Sequence, residues 1–213
     1  MDEQNNRARL RQNLLSNSQS AYLNMTALVQ GAAMGFLGYQ ITIALAGNVD
    51  RLIWLHVLYT GIVVVLVWQE YVTQVSTFVF IPSLIDWLIL LGFGVVQSYM
   101  ASTIRETYIW YWWSLGIPFV AIFAYINQFL KSRSNKDYKQ LLKYLGIHAY
   151  LPIILTIATC ILFGLLPALL AFLQSSDAAN LALVIILCLV TTMFALYGWW
   201  RWNKIVVYIL SEE

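Results

Sequence analysis

Long apolar segments, separated by short polar connections, dominate the pattern of residues along this chain. Six of the segments have the length of about 20 residues or more that an α-helix needs to cross a hydrocarbon layer of about 30 Å. The short connections favour helices that run antiparallel to their neighbours in sequence. The pattern therefore predicts six transmembrane helices, over residues 22–47, 52–76, 83–104, 107–130, 147–173 and 181–206.

Composition supports this interpretation. Hydrophobic residues make up 61% of the 213 positions and charged residues only 10%, which is more apolar than a water-soluble domain can be. We predict an all-α, polytopic integral membrane protein with one six-helix domain at residues 21–206. A polar, basic segment precedes it at 1–20, and a short tail follows at 207–213. The net charge of +2 gives no reason to expect a nucleic-acid partner.

The distribution of basic residues predicts the orientation. Residues 1–20 lack the continuous apolar stretch of a cleavable signal peptide, so the first helix is expected to be retained. With both termini in the cytoplasm, ten of the twelve Lys and Arg residues fall on the cytoplasmic side, as the positive-inside rule requires. We expect this orientation in the plasma (inner) membrane. The ten residues are Arg7, Arg9, Arg11, Lys131, Arg133, Lys136, Lys139, Lys143, Arg201 and Lys204.

One face of the second helix is polar in an otherwise apolar segment. At about 100° per residue, His56, Tyr59, Glu70 and Gln74 lie on the same side of this helix. A glutamate that faced hydrocarbon would cost several kcal/mol, so we expect this side to face the bundle or a hydrated cavity. The alternative is a structural carboxylate, bonded to Gln74 or to a basic side chain from a loop.

The third helix carries a weaker polar face. Asp86 begins this helix and Gln97 returns to the same side about three turns later, but Leu90 and Phe93 interrupt the polar stripe. Asp86 and Glu70 together could attract cations or share a proton near one mouth of a pore. The alternative for Asp86 is a cap or first-turn acid that interacts with the helix dipole.

Small residues line one side of the first helix. Gly31, Gly35 and Gly38 fall on one face, and the first two have the small-xxx-small spacing that allows two helices to approach closely in lipid. Packing within the chain is the preferred interpretation, and packing against a second copy is the alternative.

The only sizeable loop, residues 131–146, is basic and has a leucine-rich face. This pattern is typical of an amphipathic helix that lies on an anionic membrane surface. It would anchor the chain or dock a cytoplasmic protein. The candidate docking residues are Lys131, Arg133, Lys136, Lys139 and Lys143.

No pattern points to an enzyme or a cofactor. His56 and His148 are predicted at opposite membrane surfaces, too far apart to ligate one haem. The sequence has no zinc-ligand spacing, nucleophile elbow or phosphate-binding glycine loop. We therefore predict no catalytic residues, no metal and no cofactor.

Two functions of different class remain. The preferred one is a channel or transporter that conducts an ion or small solute along the polar faces of the second and third helices. We expect it to be a homo-oligomer, because six short helices enclose little space. The alternative is a non-catalytic membrane anchor or subunit that recruits a cytoplasmic partner through the basic loop and the N-terminal segment.

Overall fold

The structure, a computed structural model, describes residues 2–47, 49–77, 82–134, 136–172 and 177–210. Within these ranges, the side chains of residues 2–12, 15, 76–77, 134, 136–137, 166–172 and 177 lie outside the description. The α-helices are α1 Asp2–Ala46, α2 Arg51–Thr77, α3 Leu84–Ser102, α4 Thr107–Ser134, α5 Lys136–Leu145, α6 Leu151–Phe172 and α7 Asp177–Leu210.

The prediction of an all-helical protein with six membrane-spanning helices is confirmed. Six helices in the described ranges are long and apolar enough to cross a membrane. Three of them extend well beyond the predicted spans: α1 starts at Asp2, α4 ends at Ser134 and α7 ends at Leu210. A helix satisfies its own backbone hydrogen bonds outside lipid as well as inside it, so the chain does not have to leave the helix where the apolar segment ends.

Five of the helices, α2, α3, α4, α6 and α7, contribute side chains to a central cavity. α1 packs against α2 and α3, α3 against α4, α4 against α6, and α2 against α7. Among the described residues, α6 and α7 share no extended contact, and the connection between them lies outside the described residues. Side chains from both helices instead line a cavity between them.

The interior of the bundle contains a large apolar core together with buried polar side chains, and the outer surface exposes many large apolar side chains. Gln97 and Trp110 are fully buried, whereas Leu58, Leu189 and Phe119 are exposed on the outer surface. An apolar exterior is expected where the solvent is lipid, because lipid provides no force that drives apolar groups inward.

Close helix crossings occur at glycines other than those predicted. A Cβ atom on Gly94 would lie 2.6 Å from a methyl carbon of Val29, so α1 and α3 are in direct contact there. Among the described residues, no atom outside the backbone of α1 lies within 4 Å of a Cβ atom placed on Gly31, Gly35 or Gly38, so the preferred interpretation of internal packing is wrong. The side of α1 that packs inside the bundle carries Ala33 and Leu37 instead.

The amphipathic helix predicted at 131–146 is present as α5, although residues 131–134 belong to α4. Leu141 and Leu145 of α5 pack against Ile205 near the end of α7. Gly146 follows with φ of 55°, a left-handed conformation that favours glycine, and starts a 3₁₀ turn, Gly146–Ala149. We call the end of the bundle next to this helix the α5 side and the other end the opposite side.

Candidate functional site

A buried ion pair connects α2 to α7 on the α5 side of the bundle. Nη2 of Arg201 donates a hydrogen bond to Oε2 of Glu70 at 3.1 Å. The two side chains are only 9% and 13% exposed. The alternative prediction, in which Glu70 bonds to Gln74 or to a basic side chain from a loop, did not include this partner.

The surroundings of the pair restrict its position. The guanidinium carbon of Arg201 lies 5.8 Å from the centre of the Tyr125 ring on α4, within the range of a cation–π interaction. On the other side, a Cβ atom on Gly198 would lie 2.7 Å from Oε1 of Glu70. The carboxylate therefore lies directly against the backbone of α7, in a space that only glycine leaves open.

A central cavity of about 90 Å³ adjoins Glu70 between α2, α3, α4, α6 and α7. A water molecule needs about 10–15 Å³ by this measure, so the cavity has room for several. Most of its wall is apolar. The polar residues among those described as lining it are Tyr59, Glu70, Tyr71, Gln74, Tyr125, Thr156, Thr159 and Thr191.

A second, smaller cavity of about 40 Å³ lies beneath α5, and we call it the α5 pocket. Arg201 and His148 line it, together with Gln128 and Ser132, and no Asp or Glu is among its described lining residues. Conversely, no Lys, Arg or His is among the described residues that line the central cavity.

The ion pair lies at the boundary between these two cavities. Glu70 lines the central cavity, Arg201 lines the α5 pocket, and Tyr125 lines both. A group that passed from one cavity to the other along this path would have to separate the two charges.

Aromatic side chains close the central cavity towards the opposite side. Tyr59 lines the cavity and contacts Trp110 edge-to-face, with ring centres 5.2 Å apart. His56 stacks on the other side of Trp110 at 4.0 Å, and its Nδ1 lies 2.8 Å from the carbonyl oxygen of Ile104. Nε1 of Trp110 donates to Oγ1 of Thr60 at 3.2 Å. His56 therefore lies behind the closing layer and not in the cavity.

Asp86 caps α3 and contacts side chains of α4. It completes a capping box with Ser83 at the start of α3, where its Oδ2 accepts a hydrogen bond from Oγ of Ser83 at 2.7 Å. Nδ2 of Asn127 on α4 donates to Oδ1 at 2.7 Å, and Lys131 forms an ion pair with Oδ2. The cap interpretation is confirmed, and these contacts attach the start of α3 to the end of α4.

The structure divides the predicted pore residues into two groups. Tyr59, Glu70 and Gln74 line the central cavity. His56, Asp86 and Gln97 do not, although each is buried. Gln97 is fully buried, and its side-chain amide has no hydrogen-bond partner among the described residues.

The predicted docking residues also have different environments. Arg133, Lys139 and Lys143 are exposed. Lys131 is paired with Asp86, and the side chain of Lys136 lies outside the described residues.

Sequence reasoning missed Arg201 as a site residue, because it was counted only as a charge on the cytoplasmic side. The available signal was the apolar run at 205–210, which indicates that the helix continues beyond Arg201 and that this arginine lies within the helix. Tyr125 and the threonines of α6 and α7 carried no comparable signal in an apolar helix.

The six apolar helices define an all-α integral membrane protein. Within the part of the chain described, no group of three or more His, Cys, Asp or Glu side chains is arranged to hold a metal ion. No protein-family model, curated protein or solved structure matches this chain.

Proposed function

We propose that this protein is a membrane transporter that moves a small solute through the central cavity, with the ion pair of Glu70 and Arg201 as the gate on the α5 side. The position of this pair, between one cavity with a carboxylate and another with a guanidinium, is the observation that supports the proposal.

The energetics of buried charges favour a functional role for the pair. Removing two charges from water costs several kcal/mol per ion, and a buried pair is often no more stabilising than apolar side chains of similar size. Ionisable residues inside membrane bundles commonly mark pathways for ions or substrates. A structural contact alone would not require Glu70 and Arg201 to face different cavities.

The lining of the central cavity favours a particular class of solute. Its walls are largely apolar, with hydroxyl groups of Thr156, Thr159 and Thr191 and one carboxylate at the α5 end. Such walls fit a solute with an apolar body and a cationic or hydrogen-bonding group better than they fit a bare inorganic ion. We therefore prefer a carrier of small organic cations to an open ion channel.

The proposed route lies within one chain and follows α2, while α3 contributes Phe93 to the cavity. Homo-oligomerisation remains a prediction, and the exposed face of Gly31, Gly35 and Gly38 would provide the surface for a second copy. The cytoplasmic orientation of the α5 side in the plasma (inner) membrane is likewise a prediction.

Flux through proteoliposomes tests the proposal. We expect the purified protein to carry an alkylammonium ion at least ten times faster than protein-free vesicles do, with a rate that saturates as the solute concentration rises. Substituting Glu70→Gln should reduce this flux about tenfold, because the solute loses its counter-charge. Glu106→Gln removes an exposed carboxylate at the opposite side and should leave the flux unchanged.

Two results would reject the proposal. One is an absence of flux across a panel of alkylammonium ions, K⁺ and neutral amides. The other is equal flux in wild type and Glu70→Gln.

The exposed lysines of α5 support an alternative, a membrane anchor that recruits a soluble partner. Lys139 and Lys143 point away from the bundle, while the leucines of α5 pack onto α7. If this alternative holds, a partner should co-purify and be lost when Lys136, Lys139 and Lys143 are changed to Gln. Retention of the partner would exclude this surface as its docking site.

A further inference from the structure

The α5 pocket has the features of an anion site. We propose that it binds an oxyanion, a phosphate group carried either by free phosphate or by a lipid headgroup, through the guanidinium of Arg201. This site is distinct from the central cavity, where the transported solute would bind.

Arg201 provides donors that its known contact does not use. Its side chain is 9% exposed, and its Nη2 bonds Glu70, but its Nε has no acceptor among the described residues. A buried N–H without a partner is costly, and a guanidinium presents its donors in a planar array that matches the oxygens of a phosphate. An oxyanion in the pocket would supply the missing acceptor.

The rest of the pocket is compatible with negative charge. His148 lines it, and Gln128 and Ser132 add polar groups, whereas no carboxylate is among the described lining residues. Arg201 is also far less exposed than Lys139 or Lys143, so an anion that reached it would be shielded from water and salt.

An anion in the pocket would compete with Glu70 for Arg201. If the proposed function holds, this competition provides regulation: the anion weakens the closed gate and leaves Glu70 free to accept a cationic solute from the central cavity. The coupling would be reciprocal, so a cation bound to Glu70 would strengthen anion binding by the same factor.

Equilibrium dialysis of the full chain in detergent tests the site with radiolabelled inorganic phosphate, at an ionic strength held constant with chloride. Glu70→Gln removes the competing carboxylate and should tighten phosphate binding by about tenfold or more. Arg201→Gln, alone or combined with Glu70→Gln, should abolish binding. Arg105→Gln removes an exposed arginine from the opposite side and should have no effect.

A second arm distinguishes the two sources of the phosphate group. Nanodiscs of phosphatidylcholine, with or without phosphatidic acid, would show whether lipid with an exposed phosphate is retained by Glu70→Gln and lost from the double variant. Binding of free phosphate alone would assign the site to a soluble anion. Binding of the lipid alone would assign it to a headgroup.

Binding in either arm that depends on Arg201 and increases in Glu70→Gln would support the site. Binding that survives Arg201→Gln, or no binding by Glu70→Gln in either arm, would overturn it. If Glu70→Gln does not fold, Glu70→Asp gives the same comparison, because the shorter side chain withdraws the carboxylate from Arg201. Dialysis does not require transport, so its result is independent of whether the flux experiment succeeds.

Discussion

Replacing Gly198 by alanine tests whether the backbone of α7 holds Glu70 in place. The added Cβ would lie 2.7 Å from Oε1 of Glu70, and real contacts of this kind are almost never shorter than 3.0 Å. Either the carboxylate or α7 must therefore move by at least the difference, 0.3 Å. Because Glu70 is paired with Arg201 at 3.1 Å, the shift would disturb the pair.

The expected cost follows from two opposing terms. Overpacking costs about 1–3 kcal/mol, and the lower part of this range, about 1–2 kcal/mol, applies where the atom that must move is the end of a side chain. Alanine in place of glycine inside a helix gains about 0.5–1 kcal/mol. We therefore expect Gly198→Ala to lower the free energy of unfolding by about 0–1.5 kcal/mol.

The matched control is Gly164→Ala on α6. Outside the backbone of α6, no atom of the described residues lies within 4 Å of the Cβ position at Gly164, so only the favourable helix term should apply there. Reversible unfolding by SDS in mixed micelles, followed by circular dichroism, would measure both changes. The reasoning is refuted if Gly198→Ala is as stable as Gly164→Ala. In a Glu70→Asp background, Gly198→Ala should cost less than it does in the wild type, because the shorter acid makes room for the methyl group.

Two further predictions concern the contacts between helices. Asp86→Asn should destabilise the protein by about 1–3 kcal/mol, because it removes the ion pair with Lys131 and weakens the cap of α3. Lys131→Gln should cost about 1 kcal/mol or less. The smaller cost is expected because the lysine side chain is 32% exposed. In the same unfolding assay, a larger loss of stability in Lys131→Gln than in Asp86→Asn would contradict this ranking. Gly94→Ala and Gly116→Ala should each cost about 1–3 kcal/mol, because the new Cβ atoms would lie 2.6 and 2.9 Å from valine methyl carbons. Gly31→Ala is the control, because no described neighbour lies within 4 Å of the Cβ position there. An equal loss of stability in this control would argue against tight helix crossings at Gly94 and Gly116.

The helical architecture could be predicted because it depends on local properties of the chain. Segment length and hydropathy determine whether a helix can cross a membrane, and both are visible in one sequence. The inward position of Glu70 was predictable on the same basis, because Tyr59 and Gln74 share its side of α2 and the rest of that helix is apolar.

The partner of Glu70 could not be predicted in this way. Arg201 is 131 positions away along the chain, and the contact depends on how α7 is rotated and placed next to α2. Periodicity gives the polar face of one helix, but it does not give the neighbour that this face meets. The same limit explains Asp86: its capping role was visible next to Ser83, whereas its bonds to Asn127 and Lys131 required the position of α4.

The glycines of α1 illustrate a different limit. Their spacing allows close packing, but spacing alone does not show that a helix lies there. In this chain the close contact of α1 with α3 uses Gly94 and Val29, which carry no recognisable motif, and Gly31 and Gly35 remain on the outside. A small-residue stripe therefore indicates a face that can pack closely against another helix. Which face of the helix lies inside the bundle depends on how its larger side chains pack.

If the proposed function holds, the two ends of the central cavity should open in response to different forces, because different side chains lie at each end. On the opposite side, Trp110 is held by stacking on His56 and by a hydrogen bond to Thr60, none of which carries a formal charge in the neutral form of the imidazole. On the α5 side, the proposed gate is a pair of opposite charges. A ligand shifts a conformational equilibrium only as far as it binds one state better than the other. A charged solute or anion would interact strongly with Glu70 or Arg201 once the pair separates. Separation of the aromatic layer would expose no charged group for it to bind. Ligand-driven opening is therefore expected on the α5 side, while the aromatic layer would respond to repacking of α2 and α4.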